Sequence, residues 1–267
     1  ENLALLKDKV ALVSVLGTDP FGMDMYRYCQ GVGIDMRDCL CVNSTTSTYL
    51  AVLDGNRDMY LGINDMKILK NLTPEILTKV LSKVTNDDLV MVDTNLQPEL
   101  IKCIFEHTRA PIYCDPISGV KAEKIRPFLN RLELFKPNKL EAQQLLGYAL
   151  DSPKTYLQAL RDFRELGVKK IVISLGTDGV LASEGNEYFQ LKHPSVKMVN
   201  ATGAGDSFVA GLIHQEMIGR NLEEAVRFAI GCAMITVRSA FTVSENMSVE
   251  KVEEILNQTE MEKEKLC

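Results

Sequence analysis

The stretch NATGAGDSFVAGL, residues 200–212, places one carboxylate, Asp206, where a glycine-containing turn runs into an apolar helical pattern. Glycines at a helix start leave backbone N–H groups uncovered, and the helix dipole adds positive potential, so this turn can bind an anion. Asp206 would repel a resting phosphate but can take a proton from a nucleophilic hydroxyl. The amides of residues 203–206 would then stabilise charge on a transferring phosphoryl group. The same residue types also fit an acid that only complements the helix dipole, so both interpretations stay open.

Two common nucleotide-binding signatures are absent from the sequence. It contains no G-x-x-x-x-G-K-[ST], and no G-x-G-x-x-G follows its first predicted strand. A Walker-type phosphate loop is therefore excluded, and a dinucleotide-dependent dehydrogenase is disfavoured. An ATP site in this chain must be of another kind.

Charge and cysteine usage limit the classes of partner. The 267 residues carry a formal net charge of −6 without a Lys/Arg block, which disfavours nucleic acid and anionic membranes as partners. Seven cysteines without a C-x-x-C pair and three scattered histidines predict reduced thiols and no zinc site. No apolar stretch approaches the ~18 residues of a membrane span. We expect a cytoplasmic protein, or an organellar one if a targeting segment precedes residue 1.

Short β-branched runs alternate with longer amphipathic patterns along the chain. The strand patterns cover residues 9–17, 87–93, 110–115, 132–138 and 169–176. The helical patterns cover residues 73–84, 97–108, 121–131, 139–147, 154–167, 203–219 and 222–239, and a last one begins at Ser248. This order predicts an α/β fold, a doubly wound, mostly parallel sheet flanked by helices. Because such sheets bind ligands at the carboxyl ends of their strands, the polar residues there are the first site candidates.

Residues 38–64 interrupt the alternation with three strand-like pieces, the last two joined by the turn sequence DGNRD. The segment is too short for a domain and predicts a small inserted β-sheet. It fits a lid that excludes water from a reacting centre. It also fits a decorative hairpin or a dimer contact, and these roles are compatible.

Several motifs in order resemble the ribokinase-like (PfkB) carbohydrate and nucleoside kinases. NATGAGDSFVAGL is similar to that family's second signature, D-T-x-G-A-G-D followed by a small-residue helix. Further likenesses are KPNKLEA (136–142), SLGTDGVL (174–181), Asp115-Pro116 and LGTDPFG (16–22). The resemblance implies a single kinase domain over residues 1–267 with a lid at about 38–64.

The resemblance implies ATP and Mg²⁺ as cofactors and assigns roles to particular residues. Asp206 would be the catalytic base, and Gly203, Ala204 and Gly205 would form the anion hole for the γ-phosphate. The nucleotide would be bordered by Asn138, Ser174, Gly176, Thr177 and Gly179. Asn138 and Glu141 match the N-x-x-E pair, which organises magnesium indirectly through water. Glu141 also fits a plain first-turn helix acid.

Five polar residues are the predicted contacts of the substrate: Asp19, Thr48, Asn64, Asn95 and Asp115. Thr48, or its neighbour Tyr49, would come from the inner face of the lid, and the others from strand ends. Asn95 and Asp115 also fit caps of the helices that follow them.

The signature departs from the family pattern at its first two residues. Family members use an Asp there, with the Thr matching Thr202 and carbonyls of a later loop, around a monovalent cation. Here Asn200 and Ala201 replace the usual Asp-Thr, while the matching loop, residues 239–246, is present. The loss of a carboxylate charge weakens the case for K⁺ and leaves the question open.

Within the family, the pieces INDMKIL, VDTNL and CDPISGVKAEK resemble the pseudouridine kinase branch. The function implied is ATP-dependent phosphorylation of a nucleoside 5′-hydroxyl, with pseudouridine as the first choice. Another nucleoside or sugar kinase of the same fold, and a non-catalytic ligand-binding module, remain as alternatives. The family's first strand has no counterpart ahead of ENLALL, so we expect a fragment or a missing start. A homodimer through the lid and a fused pseudouridine-monophosphate glycosidase domain are further options.

Overall fold

The structure is a computed structural model that describes residues 1–53 and 59–267. The chain divides into two compact units, Glu1–Val80 and Leu81–Cys267. The α-helices in the described residues are α1 Asn2–Leu5, α2 Pro20–Gly31, α3 Pro74–Leu81, α4 Pro98–His107, α5 Gly119–Ala122, α6 Lys139–Leu146, α7 Pro153–Glu165, α8 Ala204–Met217, α9 Leu222–Val237 and α10 Val249–Asn257. Shorter 3₁₀ segments lie at Lys67–Asn71, Arg126–Arg131 and Gly176–Asp178.

The β-strands of the described residues follow the same chain order. They are β1 Val10–Ala11, β2 Val15–Gly17, β3 Ile34–Asp35, β4 Leu40–Val42, β5 Thr48–Leu53, β6 Met59–Asp65, β7 Val90–Asp93, β8 Ile112–Asp115, β9 Leu134–Phe135, β10 Lys170–Ser174, β11 Val180–Glu184, β12 Glu187–Lys192 and β13 Glu262–Lys265.

A seven-stranded sheet in the order β13-β12-β11-β10-β9-β8-β7 forms the centre of the second unit. β7 to β10 run parallel, and β11 to β13 continue the sheet antiparallel. Consecutive residues of β8, β10 and β11 are buried, and neighbours in a strand point to opposite faces, so both faces are covered. The predicted α/β fold with a largely parallel sheet is confirmed.

Helix boundaries follow local chemistry. Ser152 caps α7 ahead of Pro153 at the first helical position, and the apolar stripe of α7 places Phe163 edge-on to Phe135 of β9 at 5.6 Å between ring centroids. The pattern predicted as one helix over residues 121–131 is split into α5 and the 3₁₀ segment Arg126–Arg131. Pro127 explains the split, because it has no N–H and disfavours a helical residue before it.

Close packing of α8 on α9 fixes the helix that begins at the glycine turn. A Cβ at Gly211 would lie 2.7 Å from the Cα of Ala229, so only glycine allows this approach. Phe208, Val209 and Leu212 are buried on the same helix. The start of α8 is therefore held by its own packing within the second unit.

The first unit differs from the prediction of a single strand over residues 9–17. β1 pairs with β3 and β2 pairs with β4, each as a parallel two-stranded sheet outside the seven-stranded one. Two further backbone hydrogen bonds lie between these two strand pairs: Leu12 N–H donates to Asp35 O, and Leu40 N–H donates to Ser14 O. Leu16, Ile34 and Met36 form the buried cluster beneath these strands.

The predicted inserted sheet is confirmed as a hairpin of β5 and β6, preceded by β4. The predicted DGNRD turn, residues 54–58, lies outside the described residues. Thr48 pairs with Asp65, whereas Asn64 pairs with Tyr49, and successive positions of a strand alternate between faces. Thr48 and Asn64 therefore lie on opposite faces of the hairpin, and Tyr49 shares the face of Asn64.

Candidate active site

Three charged residues follow neighbouring strands at the carboxyl edge of the seven-stranded sheet. Asp93 ends β7 and pairs in register with Asp115, which ends β8, while Lys136 follows β9. The Lys136 Nζ atom lies 2.9 Å from Asp115 Oδ2, and the two side chains are 5% and 16% exposed. Parallel strands lie about 4.8 Å apart, so these residues form one row. Sequence reasoning identified Asp115 but missed Lys136, although its signal is a lysine between an apolar strand and Pro137-Asn138.

The predicted glycine turn lies at the start of α8. Gly203 is the N-cap with φ of +85°, and any Cβ there would collide with the Thr242 carbonyl oxygen. A Cβ at Gly205 would meet only Lys136 Nζ, at 3.6 Å, beyond its own helix. The open space at Gly205, called the opening below, thus faces the ammonium group directly. Asp206 follows directly in the first helical turn.

The carboxyl of Asp206 lies in an exposed part of this edge, and its electrostatics suit a base. The surrounding protein removes part of its solvation and raises its pKa above 3.8. Asp115 raises this pKa further, and Lys136 lowers it. The carboxyl therefore binds a proton more readily than an isolated Asp does, as a general base requires.

Asn138 and Glu141 form a capping box at the start of α6. Glu141 N–H donates to Asn138 Oδ1 at 2.9 Å, and Asn138 N–H donates to Glu141 Oε2 at 2.8 Å. Glu141 is 2% exposed, and burial raises the pKa of its carboxyl, with Asp115 raising it further. The predicted structural role is thus present, and the capping box engages only one carboxylate oxygen.

This arrangement is compatible with a Mg²⁺ ion held indirectly, through its waters. Among residues 1–53 and 59–267, no group of three or more His, Cys, Asp or Glu side chains is placed to hold a metal ion. Mg²⁺ usually keeps several waters and is held by one or two carboxylates together with substrate phosphates. Glu141 Oε1 and the Asn138 side chain fit that pattern.

The segment predicted to border the nucleotide lies beside Asn138. Ser174 ends β10, donates its N–H to Pro137 O at 3.2 Å and forms an isolated parallel bridge with Asn138. Gly176 and Thr177 lie in the following 3₁₀ turn, which Leu175 N–H closes on Gly179 O at 2.8 Å. The structure therefore brings these predicted residues together at one edge of the sheet.

Asn95 and Asp115 make contacts other than the predicted helix caps. The N-cap of α4 is Gln97 and that of α5 is Ser118, so the capping interpretation is wrong for both residues. Asn95 Oδ1 instead accepts from Lys121 Nζ at 2.6 Å. A second lysine that sequence reasoning missed, Lys124, donates to the carbonyls of Thr94 and Leu96 at 3.0 Å each.

Asp19 has a structural role within the first unit. It caps α2 by accepting from Gly22 N–H at 2.8 Å, and it accepts from both the N–H and the hydroxyl of Thr46. The Thr46 hydroxyl and these backbone bonds hold the pKa of Asp19 below its usual value. Both carboxylate oxygens are engaged by the protein, which explains the Asp19-Pro20 sequence as a helix start.

Asn200 links the glycine turn to residues 239–246 through its side-chain amide. Asn200 Oδ1 accepts from Thr202 N–H at 2.9 Å, and Nδ2 donates to Ala240 O at 3.3 Å. The orientation of the Asn200 amide fits both partners, since Thr202 N–H is a donor and Ala240 O is an acceptor. The –NH₂ group thus bonds a carbonyl of the 239–246 loop.

A cavity of about 320 Å³ lies beside the same loop. Its lining includes Arg238, Ala240, Phe241 and Lys251, from the end of α9, the loop and α10. Ala240, which lines this cavity, also accepts the Asn200 hydrogen bond.

Two negative predictions can be compared with the described residues. All seven cysteines are free thiols in the structure. Across residues 1–53 and 59–267, no helix combines the length and apolar character that crossing a membrane requires.

Comparisons with known proteins agree with this architecture. The model of the pfkB family carbohydrate kinases matches residues 1–247. Pseudouridine kinase of Escherichia coli K12 is 32% identical over 263 residues, which are 97% of this chain and 84% of that protein. The uncharacterized sugar kinase YeiI of the same strain is also 32% identical, over 238 residues, 88% of this chain and 66% of its own length. Ribokinase of Thermotoga maritima shares the fold, with a TM-score of 0.79 at 23% identity, covering 96% of this chain and 84% of that chain. The chain belongs to the pfkB family of carbohydrate kinases and is a phosphotransferase.

Proposed function

We propose that this chain transfers the γ-phosphoryl group of ATP to the 5′-hydroxyl of pseudouridine, giving pseudouridine 5′-phosphate. The observation that carries the proposal is Asp206 at the glycine turn of α8, beside Lys136 and Asp115 at the carboxyl edge of the sheet. The 32% identity to a pseudouridine kinase over 97% of the chain supports the choice of acceptor.

The residues of the chain have distinct parts in this reaction. Asp206 takes the proton of the acceptor hydroxyl, whose oxygen forms a bond to the γ-phosphorus. The bond from that phosphorus to the bridging oxygen of ATP breaks, and ADP leaves with its electron pair. The amides of the turn, Gly203, Ala204 and Gly205, donate to the oxygens of the phosphoryl group during the transfer.

Kinases of this fold use ATP with Mg²⁺. We place the phosphates between the turn and the Asn138–Ser174 pair, and the nucleoside part of ATP towards Gly176, Thr177 and Gly179. Asn138 and Glu141 would hold Mg²⁺ through its waters, and the ion would offset part of the phosphate charge.

The acceptor side rests on Asn95 and Asp115, which lie at the same edge as Asp206. Asp19, Thr48 and Asn64 of the first unit stay predictions, as do the lid role of the hairpin and the fusion to a glycosidase. Leu50, Val52, Leu61 and Ile63 form an exposed apolar face on the hairpin, which supports the predicted homodimer contact.

An acceptor panel tests the function. ADP formation is measured with labelled ATP and pseudouridine, uridine, adenosine, ribose or fructose 6-phosphate. We expect the highest kcat/KM with pseudouridine. Preference for another acceptor would favour a different kinase of this family, for which the equal identity to an uncharacterized sugar kinase is the supporting observation. Binding of an acceptor without ADP formation would favour a non-catalytic module.

The base is tested by Asp206→Asn. Because general-base catalysis contributes about 10²–10⁴-fold, we expect kcat to fall by about 10³-fold while ATP binding is nearly unchanged. Asp162→Asn is the matched control. Asp162 lies on α7, accepts from the Tyr148 hydroxyl and has no part in the proposed site. Turnover by Asp206→Asn at the rate of the control would contradict the assignment.

A further inference from the structure

Lys136 is a buried lysine in an ion pair at the carboxyl edge of the sheet. Its side chain is 5% exposed, and its ion-pair partner Asp115 lies 2.9 Å away. Removing an ammonium and a carboxylate from water costs several kcal/mol per ion, and a buried pair often stabilises a fold no more than apolar residues of similar size would. The burial of this pair is therefore not explained by a gain in stability alone.

The position of the ammonium group indicates what that role is. Lys136 Nζ faces the opening beneath Gly205, where a Cβ would lie 3.6 Å from it and meet no other atom beyond the helix itself within 4 Å. The same opening is bounded by the turn whose amides, in the proposed function, hold the phosphoryl group. A buried cation and a set of backbone donors thus face one space.

The Lys136 ammonium interacts with several carboxylates around this space. Asp206 and Glu141 are both influenced by Lys136 and by Asp115, with Lys136 favouring their ionised forms and Asp115 opposing them. A phosphoryl group in transfer would add further negative charge. The Lys136 ammonium is itself largely shielded from water, and screening by water is what weakens the attraction of a cation for such charge.

This inference rests on the proposed function. We infer that Lys136 is a catalytic residue whose ammonium donates to a non-bridging oxygen of the phosphoryl group during its transfer, and that Asp115 is a positioning residue holding Lys136 beneath Gly205. The bonds made and broken are those of the proposed reaction. Lys136 keeps its protons throughout, and the proton of the acceptor hydroxyl still goes to Asp206.

A purely structural pair would behave differently on mutation. If Lys136 only neutralises Asp115, the defect of Lys136→Met comes from an unpaired buried carboxylate, and Asp115→Asn removes that defect. If Lys136 touches the phosphoryl group, neutralising Asp115 restores stability but not turnover. A double-mutant cycle separates the two cases.

The first experiment measures kcat, the KM for pseudouridine and the melting temperature for Lys136→Met, Asp115→Asn and the double variant. We expect kcat of Lys136→Met to fall about 10²–10³-fold, the loss typical of one donor to developing charge. The double variant should melt above Lys136→Met and keep its low kcat. Recovery of kcat in the double variant to the level of Asp115→Asn alone would overturn the inference, and this holds even if Lys136→Met fails to fold.

Lys170→Met is the matched control. Lys170 is 12% exposed and pairs with Glu216 at 2.5 Å at the opposite edge of the sheet. We expect it to lower the melting temperature without changing kcat. An equal loss of kcat in both lysine variants would show that the effect of Lys136→Met is a general consequence of lost stability.

A second experiment avoids turnover. ADP, aluminium fluoride and pseudouridine together imitate the transferring phosphoryl group, and calorimetry compares their binding with that of ADP and pseudouridine alone. We expect fluoride to tighten the complex of the wild type, and Lys136→Met to lose this gain while keeping its affinity for ADP. If the wild type shows neither turnover nor gain, the proposed function fails. If the wild type shows both and Lys136→Met keeps the full gain, only the inference about Lys136 fails.

Discussion

At the seven-stranded sheet, the amino edge and the carboxyl edge, where the parallel strands begin and end, each hold a lysine in an ion pair. Lys136 is buried, Lys170 is partly buried, and the surroundings of the two lysines differ. At the amino edge, Lys170 begins β10 and lies 2.5 Å from Glu216 Oε1 and 3.4 Å from Glu184 Oε1. Burial lowers the pKa of Lys170, but the contacts with Glu216 and Glu184 raise it above its ordinary value. At the carboxyl edge, Lys136 pairs with Asp115 and faces the opening at Gly205.

A buried ion pair therefore does not by itself distinguish a functional lysine from a structural one. The difference lies in what else the ammonium faces. The contacts of Lys170 with two carboxylates balance the cost of its burial. Lys136 pairs with one carboxylate and faces Gly205 of the turn, which in the proposed function leaves its charge available to a ligand.

The largest expected effect tests the opening at the carboxyl edge, through Gly205→Ala. A methyl group at Gly205 makes only an ordinary contact, 3.6 Å from Lys136 Nζ, so the protein should fold normally. The methyl group would nevertheless fill the space between Lys136 and the turn. Because a displacement of about 1 Å at a reacting centre costs about 10²-fold, we expect kcat to fall by that factor. The measurements are kcat and the melting temperature.

Gly203→Ala is the comparison for this variant. Gly203 has φ of +85°, and its Cβ would collide with Thr242 O, so we expect a loss of about 1–3 kcal/mol in the free energy of unfolding. The two alanines thus separate an effect on turnover from an effect on folding. Wild-type kcat in Gly205→Ala would show that the phosphoryl group does not use this opening.

The second effect concerns the amino edge. Lys170→Met leaves Glu216 without its cation, so we expect a loss of about 3 kcal/mol in the free energy of unfolding, at the lower end for a broken buried pair. At a temperature where both proteins are folded, we expect kcat to stay within about twofold of the wild type. Lys170 lies at the amino edge, away from the proposed site, and a twofold change is well below the tenfold that 1.36 kcal/mol would give. Urea unfolding and steady-state kinetics measure the two. A specific loss of kcat would remove the distinction between the two edges.

The carboxyl-edge site was predictable where the signal is local. Asp206 and its glycines stand within four residues, and Asn138 and Glu141 are three positions apart, so both were named from sequence, although the capping box that joins Asn138 and Glu141 was not. The Asp19-Pro20 pair carries an equally local signal for a helix start, which explains the capping bonds of Asp19.

The remaining features depend on which strands become neighbours. Lys136 and Asp115 are 21 positions apart, and they meet because β8 and β9 pair in parallel. The division of residues 9–17 between two partners likewise depends on where residues 34–42 lie, which hydrophobic periodicity does not encode. Spacing along the chain therefore predicts the elements and their caps more readily than the pairs of charges between them.

The smallest expected effect concerns the junction beside the opening, through Asn200→Asp. In the wild type the Asn200 amide bonds both Thr202 N–H and Ala240 O, so we propose that the junction needs no K⁺. The carboxylate of Asn200→Asp would still accept from Thr202 N–H, but it has no N–H to donate to Ala240 O. Loss of that hydrogen bond is worth about 1 kcal/mol, or about fivefold in rate. We expect Asn200→Asp to be about fivefold slower in choline chloride than in KCl at equal ionic strength.

The wild type should give the same rate in both salts, and so should Asn221→Asp. Asn221 is the matched control because it caps α9 by accepting from Glu224 N–H at 3.0 Å and has no bond to the 239–246 loop. Melting temperatures in the two salts provide a readout that does not depend on turnover. Activation of the wild type by K⁺, or an Asn200→Asp variant that ignores K⁺, would show that the turn is not held by this amide. The start of α8 would then be held by its packing on α9 and by the close approach of Gly203 to Thr242.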